Sequence, residues 1–265
     1  MTESETESET ETGSESESEP ESGSGDGWPS RRHLLALFAM IGAFALLTGW
    51  LAFARYHSLH HRTFDLALYT RMAWGLAHGQ LWEPIIGGSF LGGHVPWVLV
   101  PLGLLGTLFG TAETLLVAQS ALVAAAAWPL ARIALRRIGP GAALVVAGAW
   151  LLYPNLGHVT TYEFHPGNLA LLPMAYALDA LDRGEGRALL WSCLLVLACR
   201  VSLALQTVVI GLLALRTAAP ALRRSGAIVT IVSVGYFSLS LLWLRPTFGG
   251  ALTVILALHF GHWGG

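Results

Sequence analysis

In a chain of 265 residues, 54% are hydrophobic, 12% are charged and the mean hydropathy is +0.56. A soluble domain is charged over about a quarter of its residues, so this composition excludes a soluble globular protein and implies a polytopic membrane protein lying in a lipid bilayer. Of the 17 acids ten precede Trp28, and the seven that follow face 15 basic residues, all arginine, which flank apolar segments in the pattern that orients membrane proteins and not in that of a nucleic-acid interface.

Residues 1–27 repeat Ser, Thr and Glu with no apolar residue beyond Met1, and they predict a disordered acidic tail. Residues 28–265 form the membrane domain. Arg31 and Arg32 precede an uncharged run at 34–54, long enough to cross about 30 Å of hydrocarbon. The positive-inside tendency then puts the N-terminus in the cytoplasm and the first outer loop at 55–95.

Within that loop, Phe64, Leu68, Met72 and Leu76 recur every fourth residue and predict an interfacial helix. Tyr69, Trp74, Trp82 and Trp97 suit an aromatic belt at headgroup level. The apolar run at 96–109 is short for a crossing and is read as staying on the outer side.

Further crossings are expected at 113–130, 142–153, 169–181, 189–198, 203–215 and 228–244, which gives about seven and keeps every arginine cluster inside. A rival threading makes 189–215 one tilted helix and leaves Arg200 near mid-membrane, at a cost of roughly 2.5–3.5 kcal/mol. Residues 251–260 begin one more apolar segment, so the chain reads as C-terminally truncated. Cys193 and Cys199 lie in one apolar run and offer neither a disulfide framework nor a zinc site.

This threading gathers Asp65, His94, Glu163, His165 and Arg200 at the outer face, and ionisable residues at membrane depth are candidates for function. Asp65 has the chemistry of a general base or of a surface helix acid paired with a nearby arginine. Glu163, His165 and His94 offer oxygen and nitrogen donors to a divalent cation, although His94 and His165, each near a proline, would also serve in loop turns. Arg200 would either hold a phosphate through its planar fork or extend to lipid headgroups. The sequence holds no Walker loop, no His-Glu-x-x-His and no Gly-x-Ser-x-Gly.

Phe64-Asp65-Leu66, the segment from Trp74 to Gly79, the segment from Phe90 to His94, and Glu163-Phe164-His165-Pro166 together resemble the membrane proteins of domain of unknown function 2079, which in turn resemble GT-C glycosyltransferases. The resemblance implies an all-α GT-C-like fold in a prokaryotic cytoplasmic membrane and transfer of a sugar from a polyprenyl-phosphate donor at the outer face, with Asp65 as the acid of the first outer loop. It also brings departures. Gly93, Gly167 and Val201-Ser202 stand where the family commonly carries acids. A non-catalytic scaffold, or a lipid- or sugar-binding component, is the alternative expectation, and the absence of an inverted repeat counts against a transporter.

Overall fold

The structure, a computed structural model, describes residues 30–59 and 64–248. The acidic tail, Arg62 and the apolar segment at 251–260 lie outside the described residues.

Among the described residues the fold is all-α apart from one small hairpin. Helix α1, Arg31–His57, is 27 residues long and overruns the expected 34–54 at both ends. Leu35, Phe38, Leu46 and Trp50 on it are exposed, as side chains facing lipid must be. Helix α2, Phe64–Ala77, follows the loop. Its packed face carries Leu66, Leu68, Met72 and Ala73, whereas Phe64, in the first turn, projects past that face and is exposed. Strands β1, Trp82–Glu83, and β2, Gly88–Ser89, pair antiparallel around a turn with Gly87 at φ +61°. A 3-10 turn, Phe90–Gly92, leads to His94.

Helix α3, Leu99–Phe109, then crosses α2 so closely that a Cβ on Gly103 would collide with the Ala73 carbonyl oxygen. Helices α4, Thr111–Ala125, and α5, Ala127–Arg137, form one long rod. Prolines at the first helical positions start α6, Pro140–Leu151, α7, Pro154–Tyr162, and α8, Pro166–Leu169. Pro154 disfavours helix at Tyr153, and α6 and α7 meet at a bend of 48°. Helix α9, Leu171–Arg183, ends on left-handed Gly184.

Helix α10, Gly186–Cys199, stops at Arg200, whose backbone is extended with φ −164° and ψ 130°. A 3-10 turn, Val201–Leu203, then starts α11, Ala204–Leu215. The 189–215 region is therefore two helices broken at Arg200. Helix α12, Pro220–Leu239, packs along α11 and continues through a π-helical turn, Ser240–Leu244, into α13, Arg245–Phe248.

Three of these rods are long and apolar enough to cross a membrane: Arg31–His57, Thr111–Arg137 and Pro220–Phe248. The bent pair α6 and α7 makes a fourth if it is one span, while α3, α10 and α11 are apolar but shorter. By this measure the chain is a membrane protein with three to four candidate spans, against the seven expected from apolar runs. The runs expected to cross at 142–153, 169–181, 189–198 and 203–215 form α6, α9, α10 and α11, which have 12, 13, 14 and 12 residues, short of the roughly 20 that a single helical span needs.

Charge segregates along the α4–α5 rod. At its far end Asp179, with no exposed side-chain surface, receives Arg136 at 2.6 Å, Arg183 at 3.2 Å and Arg132 at 3.5 Å. Asp182 receives Arg136 at 2.7 Å and Arg137 at 2.6 Å. Burial opposes ionisation of Asp182, but hydrogen bonds and charge from Arg136 and Arg137 outweigh it and hold the carboxyl below its usual pKa. This network fastens α5 to α9.

Removing one partner of a buried ion pair strands the other charges, so Asp179→Asn should lower stability by about 3 kcal/mol, against about 0–1 kcal/mol for Arg137→Ala at the exposed rim. Thermal unfolding of the detergent-solubilised protein checks this. Because the folded-state pKa of Asp182 is depressed, its contribution is present above the ordinary carboxylate pKa and is lost as pH falls through the lower folded value.

Candidate functional site

At the opposite end of the rod the organising residue is Gln119 of α4, which has no exposed surface. Its Nε2 donates to the Val159 carbonyl at 2.9 Å and the Glu163 carbonyl at 2.7 Å. Its Oε1 accepts from the His165 backbone N–H at 2.9 Å and from Asn168 Nδ2 at 3.2 Å. Glu163-Phe164-His165 connects α7 to α8 without a helix of its own, and Gln119 supplies the partners that its buried backbone needs. Phe164, fully buried, plugs the segment into the apolar cluster formed with Leu66, Leu115, Leu116 and Leu169.

That anchorage fixes two side chains on either side of Phe164. The Glu163 carboxylate is buried, and its Oε2 accepts the Asp65 backbone N–H at 3.1 Å. The first N–H groups of a helix lack intrahelical partners and carry partial positive charge, so Glu163 caps α2 from a distance of 98 residues in sequence. His165 points the other way: its Nδ1 lies 3.5 Å from Asp65 Oδ2, and both side chains are about two-fifths exposed. Of the two arginines near Asp65 in the sequence, Arg62 lies outside the described residues, and Arg71 donates to Gln80 Oε1 at 3.0 Å and stands over the Trp74 ring.

The second half of the site is held by the break at Arg200. The Val201 N–H donates to the His94 carbonyl at 3.1 Å and the Val98 N–H to the Ala198 carbonyl at 3.0 Å, which ties the 94–98 loop to the end of α10. Arg200 Nη2 then contacts His94 Nε2 at 3.2 Å. A guanidinium only donates, so Nε2 must be the acceptor and the ring proton belongs on Nδ1. Burial, followed by the charges of Arg200 and Arg245, lowers the His94 pKa to about 4 and keeps the ring neutral. Arg200 is half-buried here.

Tyr69 of α2 joins the two halves. Its ring meets Phe164 edge-on with centroids 5.8 Å apart and His165 at 6.4 Å. Burial and the Asp65 carboxylate raise the phenol pKa while Arg200 opposes them, so both charges act on this one side chain. Tyr69 therefore belongs to the site, in place of the headgroup belt expected for it. The structure thus brings together all five expected residues, as an Asp65–Glu163–His165 group and a His94–Arg200 pair.

Sequence reasoning missed Gln119, Tyr69 in this role, and Arg245. The signal for Gln119 was available: it is the lone amide in the apolar run at 113–130. As a metal set the residues fit poorly. The free lone pair of His94 faces Arg200, and among the described residues no three His, Cys, Asp or Glu side chains are grouped to hold a metal ion.

Two outcomes follow from this geometry. Gln119→Leu leaves buried carbonyl and N–H groups without partners, at about 1–3 kcal/mol for each group orphaned, and should raise hydrogen exchange at the His165 amide. In a pH titration by NMR, His94 should stay neutral from pH 6.5 down to about 4. The unfolded chain binds that proton first, so this residue makes the fold less stable as pH falls across the window. Arg200→Gln should raise the His94 pKa part of the way, since burial is the larger cause.

A family model described as a predicted membrane protein, DUF2079, matches residues 55–265, which includes both halves of the site. No curated protein and no solved structure matches. The match covers most of the chain and names no activity; the chain belongs to the DUF2079 family of membrane proteins.

Proposed function

We propose that the site transfers a sugar from a polyprenyl-phosphate donor to an acceptor hydroxyl at the outer face, in the manner of GT-C glycosyltransferases. The observation that carries this reading is the placement of an accessible carboxylate, Asp65, beside His165, with Tyr69 packed on His165 and within reach of the charges of both Asp65 and Arg200. Asp65 takes the proton of the acceptor hydroxyl as that oxygen attacks the anomeric carbon. The bond from that carbon to the phosphate oxygen breaks with inversion, and Arg200 binds the phosphate that leaves. His165 holds the Asp65 carboxylate in position, and Glu163 fixes the helix end that carries it.

In this reading the short helices α9, α10 and α11 complete about seven crossings by packing against the longer rods. Gln119 and Arg136 are 17 residues apart on one rod, or about 26 Å at 1.5 Å per residue, close to the thickness of the hydrocarbon. With the arginine-rich end and the N-terminus in the cytoplasm of a prokaryote, the site opens outward.

The second reading, a lipid- or sugar-binding component without catalysis, draws on Glu163 being engaged as a helix cap and on Gly93, Gly167 and Val201-Ser202 in place of acids. One assay separates the two. Membranes holding wild type or Asp65→Asn at equal level are given a panel of polyprenyl-phosphate sugars with lipid and peptide acceptors. Transfer that falls by about 10²–10⁴ in the variant supports the base role. Transfer equal in both proteins rejects it, and transfer in neither favours the binding component.

A further inference from the structure

The back of α2 borders a cavity that neither half of the candidate site uses. It measures about 440 Å³ and is walled by Tyr56 in the last turn of α1, by Ala67, Thr70, Arg71 and Trp74 of α2, and by Thr111 at the start of α4. At about 100° per residue these four α2 positions lie roughly 140–240° around the helix from Asp65, whereas Tyr69, which packs on His165, lies about 40° from it. The cavity and the Asp65 carboxylate therefore occupy opposite faces of one helix.

Arg71 brings a charge to this wall that nothing nearby compensates. Among the described residues it makes no ion pair: its Nη2 donates to the neutral Gln80 Oε1 at 3.0 Å, and the guanidinium stands 5.0 Å from the centre of the Trp74 ring. Arg71 Nη1 and the Thr70 hydroxyl are both buried without a hydrogen-bond partner. A half-buried charge with no counter-ion costs free energy that an anion in the cavity would offset.

The surroundings select what carries the anion. Trp74 is exposed, and so are Leu46, Trp50 and Phe53 on the outer side of α1, so the cavity borders the lipid-facing surface. Tyr56 and Trp74 are aromatics of the kind that sit where hydrocarbon meets headgroups. The volume falls within the roughly 300–1,000 Å³ of small organic ligand sites, so a bare inorganic anion would leave most of it empty. We propose that this cavity binds a singly charged amphiphile, with its carboxylate or phosphodiester oxygens at Arg71 and Thr70 and its apolar body against Tyr56 and Ala67. One guanidinium matches one negative charge, and Arg71 supplies the N–H donors that Gln80 leaves free. The ligand steadies α2 from the face opposite Asp65 and leaves that carboxylate open.

The test is native mass spectrometry of the full chain in detergent with two matched pairs of probes: oleate against oleyl alcohol, and dioleoyl phosphatidylglycerol against dioleoylglycerol. Wild type should retain at least one anionic probe about tenfold or more better than its uncharged partner, and which one it retains identifies the headgroup as carboxylate or phosphodiester. Arg71→Gln should abolish that preference. Ala67→Phe, which fills the cavity from an exposed position and changes no charge, should weaken retention about tenfold, and it keeps the test open if Arg71→Gln does not fold. Asp65→Asn, on the other face of α2, should bind as wild type does. The proposal is overturned if neither anionic probe is preferred, if Arg71→Gln or Ala67→Phe retains the preferred probe as well as wild type, or if Asp65→Asn loses it. No sugar donor or acceptor is present, so the result stands apart from the glycosyl-transfer reading.

Discussion

Four hydrogen bonds made by one fully buried amide, Gln119, decide whether the other polar residues of this face can meet. An unwound segment at membrane depth has no water to satisfy its backbone and is tolerated only where protein supplies the partners. Gln119 supplies them to both sides of Phe164 with one donor group and one acceptor group. With 163–165 fixed, Glu163 can cap α2 and His165 can reach Asp65. Without it, neither side chain has a reason to point where it does.

The same economy appears in the distribution of charge. Asp179, Asp182 and Glu185 lie with arginines at one end of the long α4–α5 rod, and there every guanidinium of the network has a carboxylate. At the other end Arg200 contacts a neutral histidine, and Arg245 comes near it without an acid. The paired charges hold α5 against α9.

Much of this was readable in the sequence because ionisable residues are rare in an apolar chain. Asp65, His94, Glu163, His165 and Arg200 stood out against their surroundings, and the topology that sends arginine clusters to one side brought them to the other. The prolines at 140, 154, 166 and 220 mark helix starts where they are found. Gln119 was hidden because its partners are backbone atoms, which no side-chain pattern encodes. Helix α7 was hidden because Pro154–Tyr162 is too polar to read as part of a crossing, and the role of Arg245 because it depends on α13 folding back onto a turn 150 residues earlier in the chain. The crossings expected at 142–153, 169–181, 189–198 and 203–215 are helices of 12 to 14 residues, because Pro140, Gly184-Glu185, Arg200 and Pro220 bound the apolar runs on either side.

In the proposed function the two halves of the site, with Tyr69 packed against the first, form one place where a lipid-linked donor meets Asp65. A cryo-electron microscopy structure of the full chain with a bound polyprenyl-phosphate sugar tests it most directly. The expected result is the phosphate at Arg200 with the anomeric carbon facing the Asp65–His165 pair. Phosphate at the Arg132–Arg136–Arg137 end, or a sugar turned away from Asp65, would contradict it.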